Sequence, residues 1–289
     1  MNIVISIHIF PNELTRYATT LERLKTCIRS ISDNIVLYTT LNTSSANIDW
    51  SRSSIDETES IERYNEFNKK ISGIKKIHKH ISTDKPHGVN DHRRETYEKF
   101  YAYDSIIYLD SDVVFSDQIL KNYINLLNSF DHKNEWYVIS PQTVRLWDTT
   151  WDCIVNEQYL THHINSHKRL NPTDVMLANA KTPRSYEKSL THKFAGGWFT
   201  AYSPKLLNFV GIPRSFGGYG PDDTFLMACM DSIKRSGKSV TQYIVKNEII
   251  MEDITTDTPE LYFLITASQQ RLSAHKNFLP ELREFSKKL

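Results

Sequence analysis

Residues Asn2 to Ile9 (NIVISIHI) alternate Ile and Val with small or polar residues, and Pro11 stops the run. Leu14, Tyr17, Ala18, Leu21, Leu24, Ile28 and Ile31 then recur at spacings of three and four, which makes one apolar face of a helix. A second apolar run, Ile35 to Leu41 (IVLYTTL), follows directly. Strand, crossover-length helix and strand in this order predict neighbouring parallel strands in a helix-covered α/β sheet. The 289 residues could form one large domain of this kind or two small ones. No linker, repeat or low-complexity tract divides them, so we read a single domain.

Further along, Asn42 to Glu59 is polar and reads as a surface loop. A helix is expected around Ile61–Ile71, a short strand around Ile74–Ile81 and a helix over Asp91–Tyr103. Ser105 to Phe115 (SIIYLDSDVVF) reads as one buried strand interrupted by acids. Asp117 opens another helix, with Leu120, Ile124 and Leu127 inward, and Trp136–Ser140 is a further strand. Pro141 to His192 is less regular and reads as an insertion shaping a pocket.

Asp110-Ser111-Asp112 sits where the apolar IIYL run ends. Open α/β sheets bind ligands at the carboxyl ends of their strands. In an extended segment, side chains at i and i+2 point the same way, so the two carboxylates would converge. Left alone they would repel each other. A hard dication, Mn²⁺ or Mg²⁺, relieves that repulsion and commonly binds through one or two carboxylates plus substrate phosphates. The competing reading is a polar strand end with Asp112 or Asp117 capping the next helix.

Six of the nine glycines fall from Gly196 to Gly220, Gly211 among them. Gly196-Gly197 permits close backbone approach to a ligand or another segment. Gly217, Gly218 and Gly220 form a loop that delivers Asp222 and Asp223 to a helix carrying Phe225, Leu226, Cys229 and Ile233. One acid there could cap the helix, and the second is surplus to that need.

An apolar strand ending in DxD, a GG segment, then a Gly-rich loop, aromatic, Gly, acid pair and helix resembles the GT-A glycosyltransferases. The segment Phe194–Phe225 is similar to the catalytic block of the β-1,4-galactosyltransferase and chondroitin-polymerase type. Tyr219-Gly220-Pro221-Asp222-Asp223 stands where that block carries W-G-G/x-E-D, with Asp222 one methylene shorter than the usual Glu.

The resemblance implies a GT-A, Rossmann-like, mixed and mostly parallel sheet flanked by helices. Residues 1–115 would form the nucleotide-binding half and 116–289 the acceptor-binding half. It implies transfer of a sugar from a nucleotide-diphosphate donor, leaning to UDP, onto an acceptor hydroxyl with inversion. Asp223 would be the base and Asp222 a ligand of the acceptor hydroxyl. Asp110 and Asp112 would hold the dication, with His275 completing the metal site. Donor contacts would come from the strand ends around Ile9, Pro11 and Thr40, from Asn90, Arg93 and Arg94 ahead of the acid strand, and from Ser111, Gly196 and Gly197. For Asn90, Arg93 and Arg94 the alternative is a solvated helix start. Trp147, Trp151, Trp198 and Tyr219 are candidates to stack on sugar faces, with core packing the alternative for each Trp.

Other classes fit less well. A net charge of +1 gives no global pull towards nucleic acid or an anionic membrane. Lys75-Lys76-Ile-His-Lys-His is a small basic strip, which keeps a nucleic-acid partner, a modified-base acceptor or a non-catalytic binding module as less favoured alternatives. No GxGxxG follows the first strand and no Walker A motif occurs. Cys27, Cys153 and Cys229 lack CxxC spacing, and no glutamate motif accompanies His163 and His167 or His78 and His80, which leaves zinc unsupported. No secretory leader is recognisable, and no stretch approaches the roughly 20 apolar residues of a membrane span. The expected location is the cytoplasm.

Overall fold

The structure, a computed structural model, describes the chain except residues 30, 54, 146–184, 190–194 and 253–266. Strand β1 (Asn2–Ile9) leads through a 3-10 turn at Pro11–Glu13 into helix α1 (Leu14–Ile28), which returns the chain to β2 (Asn34–Asn42). β1 and β2 pair in parallel, with Ile3 opposite Ile35. Helix α2 (Glu57–Lys69) precedes β3 (Lys75–Ile81), and helix α3 (Val89–Lys99) precedes β4 (Ser105–Leu109). Both strands extend the sheet in parallel, β3 on β2 and β4 on β1.

The sheet then becomes mixed. Its order is β3-β2-β1-β4-β8-β6-β9-β5. Here β5 is Val113–Phe115, β6 Tyr137–Arg145, β8 Trp198–Tyr202 and β9 Thr241–Glu252, while β7 (Tyr186–Lys188) pairs with β9. β8 runs antiparallel to both of its neighbours. Helices α4 (Ile119–Leu127), α5 (Pro204–Val210), α6 (Asp222–Arg235) and α7 (Ala267–Ser286), with 3-10 turns at Trp50–Arg52 and Arg214–Phe216, complete the described elements.

The run Ser105–Phe115 is not one strand. β4 ends at Leu109, residues 110–112 form a turn, and β5 pairs with β9 at the far end of the sheet order. Asp110 keeps one backbone bond to Gly197, and with Asp112 it sits in the turn between the strands. The strand β8 and the long β9 were not anticipated. β8 is only Trp198–Tyr202 and lies against glycines that read as loop.

Alternation of side chains across β1 divides the core. Ile3, Ile5, Ile7 and Ile9 face a cluster that includes Leu14, Tyr17, Leu21 and Leu24 of α1. Val4 faces a second cluster with Tyr97 of α3, Phe225 and Met230 of α6 and Phe285 of α7. Towards the carboxyl ends of β1 and β2, the positions on that second face turn polar: Ser6, His8, Thr40 and Asn42 are all buried. His92 of α3 fills this column. Its Nε2 lies 2.7 Å from Ser6 Oγ and its Nδ1 2.9 Å from Thr40 Oγ1, while its ring stacks on Tyr38. Both ring nitrogens therefore have partners, as a buried imidazole requires.

Burial pushes the His92 pKa from 6.5 down to about 3, with His87 and Arg93 adding to the shift. The folded chain thus binds this proton less readily than the unfolded chain does. Its neutral state supports the fold above pH 6.5, and that support is lost progressively as pH falls towards about 3. A His92→Gln variant should show a shallower fall of melting temperature on acidification than the wild type, whatever its baseline stability. Parallel slopes for the two proteins below pH 6.5 would refute this role.

Candidate active site

Three elements meet at the carboxyl ends of β1 and β4. The turn after β4 carries Asp110 and Asp112. The first turn of α3 carries Asn90, Asp91, Arg93 and Arg94. The glycine loop opens α6 with Asp222 and Asp223.

Arg93 joins them. Its side chain is only 6% exposed. Nη1 donates to Asp222 Oδ2 at 2.7 Å and to Asp223 Oδ1 at 2.9 Å. Nη2 lies 3.6 Å from Asp110 Oδ1, and the guanidinium sits over the Tyr108 ring. Asn90, with its amide turned to satisfy both neighbours, donates to Asp222 Oδ1 at 2.9 Å and accepts from Gly220 N at 3.0 Å. The acid pair does not cap α6. Pro221 stands at the N-cap, with no side-chain cap, and both acids direct oxygens to Arg93. The helix N-terminus still favours their negative charge.

The Gly196-Gly197 pair serves close approach to another segment. Gly197 O accepts from Asp110 N at 2.7 Å. A Cβ on Gly197 would overlap Arg93 Nη2 and Asp110 Oδ1. One on Gly196 would sit 3.3 Å from Asp223 Oδ2 and 3.2 Å from the Trp198 ring. Beyond them, Phe199 adopts φ 129° at the register shift between β8 and β4. Its carbonyl is held by Tyr123 Oη at 2.8 Å. A bulky residue at positive φ is a local strain, stored here beside the acids.

Asp112 faces a different cation. Its Oδ2 is 3.4 Å from Arg16 Nη1 on α1. One turn further, Thr20 Oγ1 donates to Ser111 O at 2.7 Å, which fixes α1 over the acid turn. The i, i+2 argument for convergence therefore does not apply, because residues 110–112 are not extended. Ser111 is buried and serves this turn. Glu13 adds a further carboxylate from the end of β1, and its Oε2 accepts from Phe10 N at 2.8 Å. Neither Glu13 nor Arg16 was among the residues expected here. The available signal was their position just past the Pro11 that ends the first strand.

The charges are unbalanced. Burial raises the Asp110 carboxyl to about 7, Arg93 pulling it down and Asp112 and Asp222 pushing it up. Burial raises Asp223 to about 8 against the pull of Arg93, with Asp222 and Asp110 adding to the rise. Burial also raises Glu13 to about 8, with Asp112 the next cause. Among the described residues, Asp110, Asp222 and Asp223 surround Arg93, Asp112 faces Arg16 and Glu13 lies near Asp112, so the acids outnumber the guanidinium groups. A hard dication with oxygen donors fits this excess. Asp110 and Asp112 supply such donors. His275 is exposed on α7, and among the described residues no group of three His, Cys, Asp or Glu side chains is placed to hold a metal ion.

Other expected residues fall elsewhere. Ile9 is wholly buried in the core, Pro11 is buried at the 3-10 turn, and Thr40 is bonded to His92. Arg94 is buried and donates to backbone carbonyls rather than facing an open donor site. Trp198 is 5% exposed and belongs to the core, so it offers little face to a sugar. Tyr219 stacks on Phe10, which carries the glycine loop across to the end of β1. Trp147 and Trp151, with His163 and His167, lie outside the described residues. The basic strip on β3 bonds in part within the chain, while Lys75, His78 and His80 are exposed. Lys76 donates to Asn68 O and Ile71 O, Lys79 pairs with Glu95, and His78 and His80 meet Thr39 and Thr43. Lysines on this edge strand also guard it against pairing with another sheet.

No family model matches the chain, and no curated protein matches it by sequence. Solved structures do match. A mannosyltransferase from Pyrobaculum calidifontis, in complex with GDP-Man and Mn²⁺, aligns with a TM-score of 0.51 at 12% identity, over 99% of this chain and 64% of that one. The fold is GT-A. S. aureus TarS 1–349 in complex with UDP aligns at TM-score 0.49 and 11% identity, over 85% of this chain and 60% of that one. Glucosyl-3-phosphoglycerate synthase from Mycobacterium tuberculosis, with Mn²⁺, UDP-glucose and phosphoglyceric acid, aligns at TM-score 0.49 and 10% identity, over 99% and 80%. This chain spans about 60% of the length of the TarS chain. At these identities the likeness to this GT-A set is one of fold. No described helix is long and apolar enough to cross a membrane.

Because Asp110 and Asp223 hold their protons more tightly in the folded chain, their contribution to stability is complete below their ordinary 3.8 and is lost as pH rises through about 7 and about 8. Between pH 6.5 and 8 His92 is already neutral, so the carboxylates set the slope. The chelator-treated protein should lose melting temperature over this interval. Addition of about 1 mM Mn²⁺, enough to fill a weak dication site, should restore more of it at the alkaline end than at the acidic end. Arg93→Met leaves three acids without their shared cation and should cost about 3–5 kcal/mol in urea unfolding at about pH 8, and less at about pH 5. Equal loss at both pH values would rule out the charge argument.

Proposed function

We propose that this protein is a metal-dependent glycosyltransferase that moves a sugar from a nucleotide-diphosphate donor, with UDP-sugars favoured, to an acceptor hydroxyl. One observation carries the reading. A single buried guanidinium joins the acid at the end of a central strand, Asp110, to the acid pair at the mouth of a helix, Asp222 and Asp223. Leaving-group chemistry and acceptor chemistry need charges of this kind on opposite sides of one reacting carbon, and the GT-A fold provides the frame for them.

In this reading Asp110 and Asp112 hold a dication, Mn²⁺ or Mg²⁺. Bound there, it would act as a Lewis acid on the departing diphosphate. The chain's own residues do the rest. Asp223 accepts the proton of the acceptor hydroxyl, and its raised pKa of about 8 suits a base working near neutral pH. Asp222, held by Arg93 and Asn90, orients the hydroxyl. Attack from the face opposite the leaving group would invert the anomeric centre. The glycine pair 196–197 keeps the floor of the site at backbone level. The carboxyl ends of β1 and β2 would lie beside the nucleoside. Lys76, Lys79, His78 and His80 of the basic strip on β3 bond within the chain, and nothing described favours a nucleic-acid acceptor.

The test is a screen of UDP- and GDP-sugars with Mn²⁺, following nucleotide release with and without EDTA. Release that depends on the cation is expected. Asp223→Asn should lower turnover by roughly 10²–10⁴-fold while UDP binding persists. No release from any donor, together with no UDP- or GDP-induced rise in melting temperature, would sink the proposal. Full turnover by Asp223→Asn would remove Asp223 from its role.

A further inference from the structure

Arg94 stands next to Arg93 in the first turns of α3, yet its guanidinium reaches none of the acids at the centre of the site. It is 8% exposed at the side chain. Nε donates to Ile212 O at 3.0 Å, Nη2 to Pro213 O at 2.7 Å and to Gly217 O at 3.0 Å, and Nη1 to Asp91 Oδ1 at 2.7 Å. Three carbonyls of one segment, residues 212–217, which holds the 3-10 turn Arg214–Phe216, are thereby gathered on one rigid planar fork. Lysine, a single ammonium on a flexible stem, cannot reproduce that geometry.

The gathered segment is the one that ends in the acid pair. At Gly217 the backbone turns with φ 65°. Gly218 then lies so close to α3 that a Cβ there would come within 2.8 Å of Asp91 Oδ2 and of Gly88 N. Gly218 O accepts from Asn90 N at 3.0 Å. On the opposite side α7 closes the loop. A Cβ on Gly220 would fall 2.8 Å from Ala274 Cβ, Phe278 stacks parallel to Phe216, and Asn277 Nδ2 donates to Ser215 O at 3.1 Å. Side chains of the loop hold it away from α3, with Phe216 buried against Phe225 and Phe278, Ser215 bonded to Glu281 and Tyr219 on Phe10, while Arg94 holds its carbonyls from α3.

We propose that Arg94 is a positioning residue. By fixing the carbonyls of Ile212, Pro213 and Gly217 it sets the path of the loop that presents Asp222 and Asp223, and so governs the acceptor step without touching donor or acceptor. Consecutive residues of α3 have separate roles. Arg93 holds the acids, and Arg94 holds the loop that delivers them. The assignment of an acceptor step rests on the glycosyltransferase reading. The control of the loop does not.

Two measurements on the full chain separate these. Hydrogen exchange needs no substrate. Arg94→Lys should exchange faster than wild type at the amides of residues 216–220, with the amides of β1 and β4 unchanged. Calorimetry with UDP and Mn²⁺, and nucleotide release from the donor found active for the wild type, then read function. Arg94→Lys should keep UDP affinity within about threefold and lose turnover by on the order of 10–100-fold, as misplacement by about 1 Å does. Gly218→Ala, which pushes the same loop from α3, should give the same split and decides the matter if Arg94→Lys fails to fold. Unchanged loop exchange in Arg94→Lys overturns the positioning role. UDP affinity falling in step with turnover overturns it as well, since Arg94 would then act on the donor. Turnover kept by the folded Arg94→Lys, or by Gly218→Ala where Arg94→Lys does not fold, overturns it too. If the wild type binds no nucleotide and releases none, the glycosyltransferase reading fails, and the exchange result alone decides whether Arg94 controls the loop.

Discussion

The site depends on one guanidinium. Arg93 is buried among Asp110, Asp222 and Asp223, groups that come from two separate elements outside its own helix and would repel one another without it. A buried cation with several carboxylates is tolerated when its hydrogen bonds are satisfied, and removing it strands the partners. This requirement reaches outward. It demands glycine at 197, where a methyl group would fall on both the guanidinium and Asp110. It requires the first turn of α3 to lie under the glycine loop, which Gly88 and Gly218 permit by meeting backbone to backbone. Among the described residues the acids around it outnumber the cations, an excess that a dication would offset.

Much of the frame was legible in the sequence because it is repetitive. The strand, helix and strand at the N-terminus follow from apolar spacing, and α1 and β2 lie within a few residues of where that spacing puts them. The acid triplet and the glycine-delivered acid pair were recognisable because unusual residue types stand at element ends. Three things were not legible. The run from Ser105 to Phe115 is uniformly apolar around its acids, and no local signal says that its two halves pair at distant places in the sheet. β8 hides behind Gly196 and Gly197, whose composition reads as loop. Most partners of Arg93 and Arg94 lie more than 100 residues away in the chain, and two neighbouring arginines look alike until the chain is folded.

Burial also redistributes the aromatic residues. Trp198, which reads as a stacking platform, packs inside the core, and Tyr219 against Phe10 takes its place at the edge of the site. The polar column of Ser6, His8, Thr40 and His92 occupies the same face of the sheet that carries α3, so the helix that organises the acids is seated on hydrogen bonds as well as apolar contact. Seating of that kind fixes the rotation of a helix about its axis, since a hydrogen bond has direction where apolar contact has little. A rotation of α3 by one residue, about 100°, would turn Arg93 away from the acids and bring Arg94 to its place.

The break between β4 and β5 has a mechanical consequence. Asp110 is attached to a strand in the middle of the sheet, and Asp112 to a strand at its rim beside β9. The two carboxylates are neighbours in the chain but belong to different lever arms. Their relative placement therefore follows from how the centre of the sheet and its edge are set against each other, within the reach that Ser111, the one residue between them, allows.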